Sequence, residues 1–221
     1  MFISKIVKLP VSDFGMPKFE IKIRWILIAI LLPCIIKGIY VLIFNGEYVT
    51  SNMNGNEIFN TLSAGVAFTG IAAGFVEEMV FRGVILNALK KRWDMKVAVI
   101  VPSMLFGIVH VLGQDFSIGS CLLVIIAGTM VGVMFSMIAI ESGSVWNSGI
   151  VHAIWNIVII GGGLAIGEKM DPYSVMTYVL DSKVFAITGG EFGIESSVIS
   201  LIGYIIVAGI AFIMIKSNRK N

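Results

Sequence analysis

The sequence predicts an all-α protein, a polytopic bundle of about six transmembrane helices with both termini in the cytoplasm, and three observations carry that expectation. Of the 221 residues 57% are hydrophobic and only 14% are charged, with a mean hydropathy of +0.94; soluble domains average about 25% charged residues. Apolar runs of about 20 residues, the length that crosses a bilayer core, recur between short polar breaks. The basic residues sit at the ends of those runs. Twelve of the 16 Lys and Arg fall in segments 1–24, 90–96 and 216–221, which with 141–144 share one side of a six-span chain; the opposite loops hold only Lys169 and Lys183. That asymmetry puts the basic side in the cytoplasm.

Residues 1–24, with Lys5, Lys8, Lys18, Lys22, Arg24 and two prolines, read as a cytoplasmic or interfacial leader. Residues 25–215 read as a single transmembrane domain and 216–221 as a basic cytoplasmic tail. The first span covers 25–44, and Lys37 inside it requires either a snorkelling path or an interhelical partner. The loop 45–57 carries no Lys or Arg. A helix over 58–89 would be about 48 Å long, more than the hydrocarbon core needs, so this segment is expected to tilt, project or break. The third span covers 97–112, the fourth 119–140, the fifth 145–166 and the last 197–215. Between the last two, 167–196 is mixed, with Asp171-Pro172 and Gly189-Gly190 as turns and room for an interfacial or re-entrant piece.

Gly70-x-x-x-Gly74 and Gly128-x-x-x-Gly132 read as seams of close helix packing. Cys34 and Cys121 lie in apolar runs and read as packing residues, not as a disulfide or a metal pair. The first apolar run is longer than the core of a cleavable signal peptide. A net charge of +2, with its basic residues at span ends, gives no nucleic-acid partner.

The chemistry concentrates at 75–83, FVEEMVFRG. Glu78 and Arg82 are one helical turn apart and share a face, so they can pair. Glu77 points about 100° around the same helix. Ionisable groups inside a membrane span are costly and line a bundle interior or a water-filled cavity. The chain has two histidines, and both fall in spans: His110, one turn after Phe106, and His152, one turn before Asn156. Measured from the cytoplasmic end of each span, Glu77 lies about 18 Å deep, His110 about 21 Å, His152 about 12 Å and Asn156 about 18 Å. All four fall in one slab near the bilayer middle.

Peptide hydrolysis needs a base for water and donors for the developing oxyanion. Glu77 and His110 can orient and deprotonate water, His152 and Asn156 can donate to the tetrahedral oxygen, and Glu78 with Arg82 can brace the helix. Zinc held by Glu77, His110 and His152 is the rival chemistry, with an open position for water; no H-E-x-x-H helix supports it by spacing, and no cofactor is favoured. Ser103 and Cys121 have no neighbours that would activate a nucleophile.

Glu77-Glu78-x-x-x-Arg82, Phe106-x-x-x-His110 and His152-x-x-x-Asn156 together resemble the three motifs of the CPBP family, which comprises type II CAAX prenyl endopeptidases and the Abi group of bacteriocin-processing and immunity proteins. The resemblance covers about 58–166 and uses both histidines. It implies an all-helical intramembrane endopeptidase of the cell membrane whose site opens toward the cytosol. Glu77 and His110 would activate water, His152 and Asn156 would form the oxyanion site, and Glu78, Arg82 and Phe106 would support them. A metal-free glutamate mechanism is the preferred form and a metalloprotease the alternative.

The expected function is therefore endopeptidase cleavage of a membrane-associated protein or peptide, with membrane lipid as the surrounding partner. A self-immunity protein that binds a toxic peptide is the second reading. A proton-coupled transporter is the third, and the absence of repeated halves speaks against it.

Overall fold

The computed structural model describes Met16 and residues 19–218. Most of the expected leader and the last three residues of the basic tail lie outside these.

Helix α1 spans Ile23–Ile43. Apart from Arg24 and Lys37 it is apolar on every face, and Trp25, Ala29, Leu32, Ile36 and Tyr40 form the buried stripe at three-to-four-residue spacing, while Leu27, Leu31, Ile35 and Leu42 face outward. An exterior of this kind suits lipid. Helix α2 spans Gly55–Lys90. It starts at a capping box, in which the Asn54 side chain accepts from the Asn56 and Glu57 amides at 3.0 and 3.1 Å while Glu57 accepts from the Asn54 amide at 2.7 Å. The break allowed for this segment does not occur: one helix of 36 residues runs through it, π-helical over Gly65–Ala72 and Met79–Ile85 and α-helical over Ala73–Glu78 between them.

Helix α3 spans Met95–Val109 and is capped by Asp94, whose carboxylate accepts from the Val97 amide at 2.9 Å. Helix α4 spans Ile118–Ser142 and ends on Gly143 at φ +72°, a left-handed conformation that glycine adopts without strain. Helix α5, Val145–Ile160, follows at once. After the short helix α6, Phe185–Thr188, the last helix α7 spans Val198–Asn218.

Among the described residues, four helices are long and apolar enough to cross a membrane: α1, α2, α4 and α7. The third and fifth expected spans are shorter than the sequence suggested. Helix α3 stops at Val109 instead of 112, and α5 stops at Ile160 instead of 166, because Gly161-Gly162-Gly163 breaks it. Nor is the chain wholly helical. Strands β1 (Gly46–Thr50), β2 (Leu164–Gly167) and β3 (Met176–Leu180) form a small sheet of order β1-β3-β2. β1 runs antiparallel to β3, with Tyr48 opposite Tyr178 and their rings 4.8 Å apart, and β2 runs parallel to β3. Four or five residues leave too short an alternation to read from sequence. β1 and β3 lie in the two segments expected to be loop and mixed chain, and β2 takes the last residues expected of the fifth span.

Two pairs of helices run antiparallel along glycine seams. A Cβ on Gly65 would meet the Gly161 carbonyl oxygen at 2.1 Å, and one on Gly74 would meet the Ala153 backbone at 2.8 Å, so α2 lies directly on α5. Gly107 and Gly128 bring α3 onto α4 in the same way, with 2.6 Å between a Cβ on Gly128 and the Gly107 Cα. Lys37 has a role in the interior. Its ammonium donates to the carbonyls of Val158 and Leu164, at and just beyond the C-terminal turn of α5, where helix carbonyls lack partners and the dipole favours a cation.

Candidate active site

Glu77 and Glu78 stand at the end of the α-helical stretch between the two π-helical segments, and Arg82 lies in the second. Glu78 and Arg82 keep the pairing of residues one turn apart, while Glu77 points to another face of the helix. Arg82 Nη1 donates to Glu78 Oε1 at 2.8 Å and Nη2 donates to the Gly132 carbonyl at 2.9 Å, with both side chains fully buried. Three rings fence the guanidinium, with the Phe106 centroid 4.7 Å, Phe135 5.3 Å and Phe81 5.7 Å from its carbon. Cation–π attraction and a carboxylate thus replace water around it.

His152, on α5, sits between the two carboxylates. Its Nδ1 lies 3.2 Å from Glu78 Oε1 and its Nε2 3.8 Å from Glu77 Oε2. The Phe135 ring stacks on the imidazole at 4.5 Å and 19°, holding its plane. With Glu78 already accepting from Arg82, the consistent tautomer has Nδ1–H of His152 donating to Glu78.

His110 is the residue that closes α3, where the helix gives way to a turn. Its Nδ1 lies 2.6 Å from the Phe106 carbonyl, so Nδ1–H donates there and Nε2 keeps a free lone pair. The motif spacing thus has a backbone function as well as an aromatic one, since the Phe106 ring also lies 4.5 Å from the His110 ring. Asn156 Nδ2 donates to the Thr69 carbonyl at 2.9 Å, and that carbonyl belongs to the first π-helical segment of α2. One amide hydrogen of Asn156 remains for another acceptor.

Glu77, His110, His152 and Asn156 all line one cavity of about 170 Å³, drawn from α2, α3 and α5 and walled by α4 and α7. Glu78 and Arg82 lie beneath it, buried. Glu77 Oε2 is buried without a hydrogen-bond partner and faces this space.

Sequence reading missed Glu195, from the mixed segment, which lines the same cavity between Phe192 and Tyr204. The Tyr204 hydroxyl donates to the Glu195 carbonyl at 2.9 Å, and Trp155, close to His152 on α5, hydrogen-bonds its side chain. Burial pushes the Glu195 carboxyl up to about 7. Its spacing in the sequence carries no signal; only the fold of 189–197 back over the bundle brings it there.

The zinc set considered from the sequence does not fit this arrangement. Among the described residues no three His, Cys, Asp or Glu side chains converge closely enough to hold a metal ion.

With this geometry in place, residues 59–158 match the family model described as type II CAAX prenyl endopeptidase Rce1-like. The matched stretch contains all three motifs, from Glu77 to Asn156, and excludes Glu195. Neither the comparison with curated proteins nor that with solved structures gave a match.

Proposed function

We propose, for a chain that belongs through residues 59–158 to the CPBP family of CAAX-protease-like membrane proteins, that it is a multi-pass endopeptidase of the cell membrane. In this reading it hydrolyses a peptide bond of a membrane-associated protein or peptide. The observation that carries this is the shared cavity: Glu77, His110, His152 and Asn156 border one small space, with a buried Glu77 oxygen unpartnered in it.

In this mechanism water binds between Glu77 and the free Nε2 of His110. Glu77 takes a proton as the water oxygen attacks the scissile carbonyl, and the new C–O bond leaves an oxyanion. The remaining amide hydrogen of Asn156 donates to it, and His152, its ring held by Glu78 and Phe135, completes the oxyanion site. Collapse breaks the C–N bond, and Glu77 returns its proton to the leaving amine. Glu78 and Arg82 do not touch substrate. They are positioning residues that hold His152 and the second π-helical segment.

The orientation we propose keeps all six helices of the bundle passing through the membrane region, with both termini cytoplasmic. The basic clusters support it: Lys90 to Lys96, Lys216 and the Arg24–Glu141 ion pair lie at one end of the bundle, and the sheet lies at the other.

Cleavage of a pooled peptide library by purified protein in detergent tests the activity. Wild type should cut, Glu77→Ala should not, and a strong chelator should leave wild type unaffected. Full turnover by Glu77→Ala would overturn the catalytic assignment. No cutting by folded wild type would move the binding or immunity reading to the front.

A further inference from the structure

We propose that Glu195 makes the cavity selective for a basic substrate side chain beside the scissile bond, its carboxylate receiving a lysine ammonium or an arginine guanidinium. This deepens the endopeptidase reading above and rests on it. Glu195 lines the same cavity as Glu77, His110, His152 and Asn156, yet the hydrolytic steps make no use of it.

The residue stands on the turn Ile194–Ser196, which is tied down on both sides of it. Ser200 Oγ donates to the Ile194 carbonyl at 2.6 Å, Tyr204 Oη donates to the Glu195 carbonyl at 2.9 Å, and Ser196 Oγ donates to the Gly189 carbonyl at 2.7 Å. Ile194 and Ser196 are themselves buried. The backbone is thus fixed, as a group that reads a substrate requires. A carboxylate has two oxygens to satisfy, and Trp155 brings one N–H to them. That single donor does not offset burial, which pushes the carboxyl up to about 7. A cation beside it favours the ionised form again and supplies the missing donors.

The rest of the cavity suits such a ligand. At about 170 Å³ it holds one side chain. Helix α4 contributes Val124, Ala127 and Val131, an apolar wall along which the methylenes of lysine or arginine can lie. Among the described residues, no Lys or Arg lines the cavity. Arg82 lies beneath it, committed to Glu78 and the Gly132 carbonyl. An acidic side chain would therefore stand beside Glu77 and Glu195 without a counter-charge. An apolar one would leave Glu195 short of a donor. Selectivity comes from both penalties as much as from the new ion pair.

The test starts from a peptide that the purified protein cuts in the pooled library. The residues on either side of the cut are replaced one at a time by Lys, by norleucine, which keeps the stem and lacks the ammonium, and by Glu. At one of the two positions kcat/KM for Lys should exceed that for norleucine by about 10–100-fold, with Glu the slowest. Glu195→Gln should remove the difference between Lys and norleucine, Glu195→Asp should keep most of it, and Glu195→Lys should rank Glu above Lys. A residue that only braced the turn would change all three peptides alike.

Equal values for Lys and norleucine at both positions in the wild type would overturn the inference and leave the protease reading standing, whether or not any variant folds. A lysine preference that survives in folded Glu195→Gln would overturn Glu195 as its source. Absence of cutting by folded wild type would remove the protease reading, and this inference with it.

Discussion

Arg82 and Glu78 meet at 2.8 Å with neither side chain exposed, and the Gly132 carbonyl completes the guanidinium's second contact. Removing one member leaves the other as an uncompensated buried charge, which costs more than the pair contributes as a unit. Arg82→Ala should therefore lower stability by about 3–5 kcal/mol, read as a fall in the unfolding midpoint in detergent. Replacing both residues at once, as Glu78→Gln with Arg82→Met, should recover part of that loss. A double variant no more stable than Arg82→Ala would show that the pair does not act as a unit.

Glu77 is only partly buried and has no bonded counter-charge comparable to Arg82. Glu77→Ala and His110→Ala should lower turnover by about 10²–10⁴ with little change in unfolding midpoint. Collapse of both activity and midpoint in His110→Ala would assign that ring a structural role.

Asn156 has one amide hydrogen on Thr69, and in the proposed mechanism the other donates to the oxyanion. Loss of one such donor costs about 10²–10³ in kcat. Asn156→Ala should show that fall with KM changed little, in steady-state kinetics on the peptide selected from the library. A rise in KM at constant kcat would place Asn156 in substrate binding instead.

Gly65 faces the Gly161 carbonyl with room for no further atom. Gly65→Ala should destabilise by about 1–3 kcal/mol through forced separation of α2 and α5. A Cβ on Gly38 would have nothing within 4 Å, so that position should accept alanine without such loss. Equal midpoints for the two variants would contradict the seam.

Glu195 has a carboxyl raised by burial from its ordinary 4.5 to about 7, opposed by the Trp155 hydrogen bond. A raised carboxyl means that the folded protein holds its proton more tightly than the unfolded chain. Its stabilising contribution is complete below pH 4.5 and is lost as pH climbs to about 7. Tyr204 faces it from α7, and Glu77, His110 and His152 share its cavity. The unfolding midpoint of wild type should fall across that window, and Glu195→Gln should flatten the fall. An unchanged pH profile in the variant would exclude Glu195 as its source.

Much of the candidate site was legible because its parts are local. A carboxylate and an arginine one turn apart, a phenylalanine one turn before a histidine, and a histidine one turn before an asparagine each define one helix face. Ionisable groups within apolar runs single themselves out by their cost. Spacing also marked the glycine seams, since each glycine acts on the helix packed against it.

What spacing does not contain is how the faces turn toward one another. The two π-helical segments in α2 were announced by no residue pattern, and the first of them supplies the Thr69 carbonyl that Asn156 reaches. Lys37 found its partners in carbonyls at the end of a helix more than a hundred residues away. The strands at 46–50, 164–167 and 176–180 exist only because distant segments pair, and each is too short to carry its own periodicity. Glu195 reached the cavity by the same long-range folding. The sequence alone determined an apolar helical chain, its basic ends and the identities of its costly polar residues, because burial energy and helical period act residue by residue. Tertiary structure alone decided their convergence on one cavity, because that depends on which faces pack together.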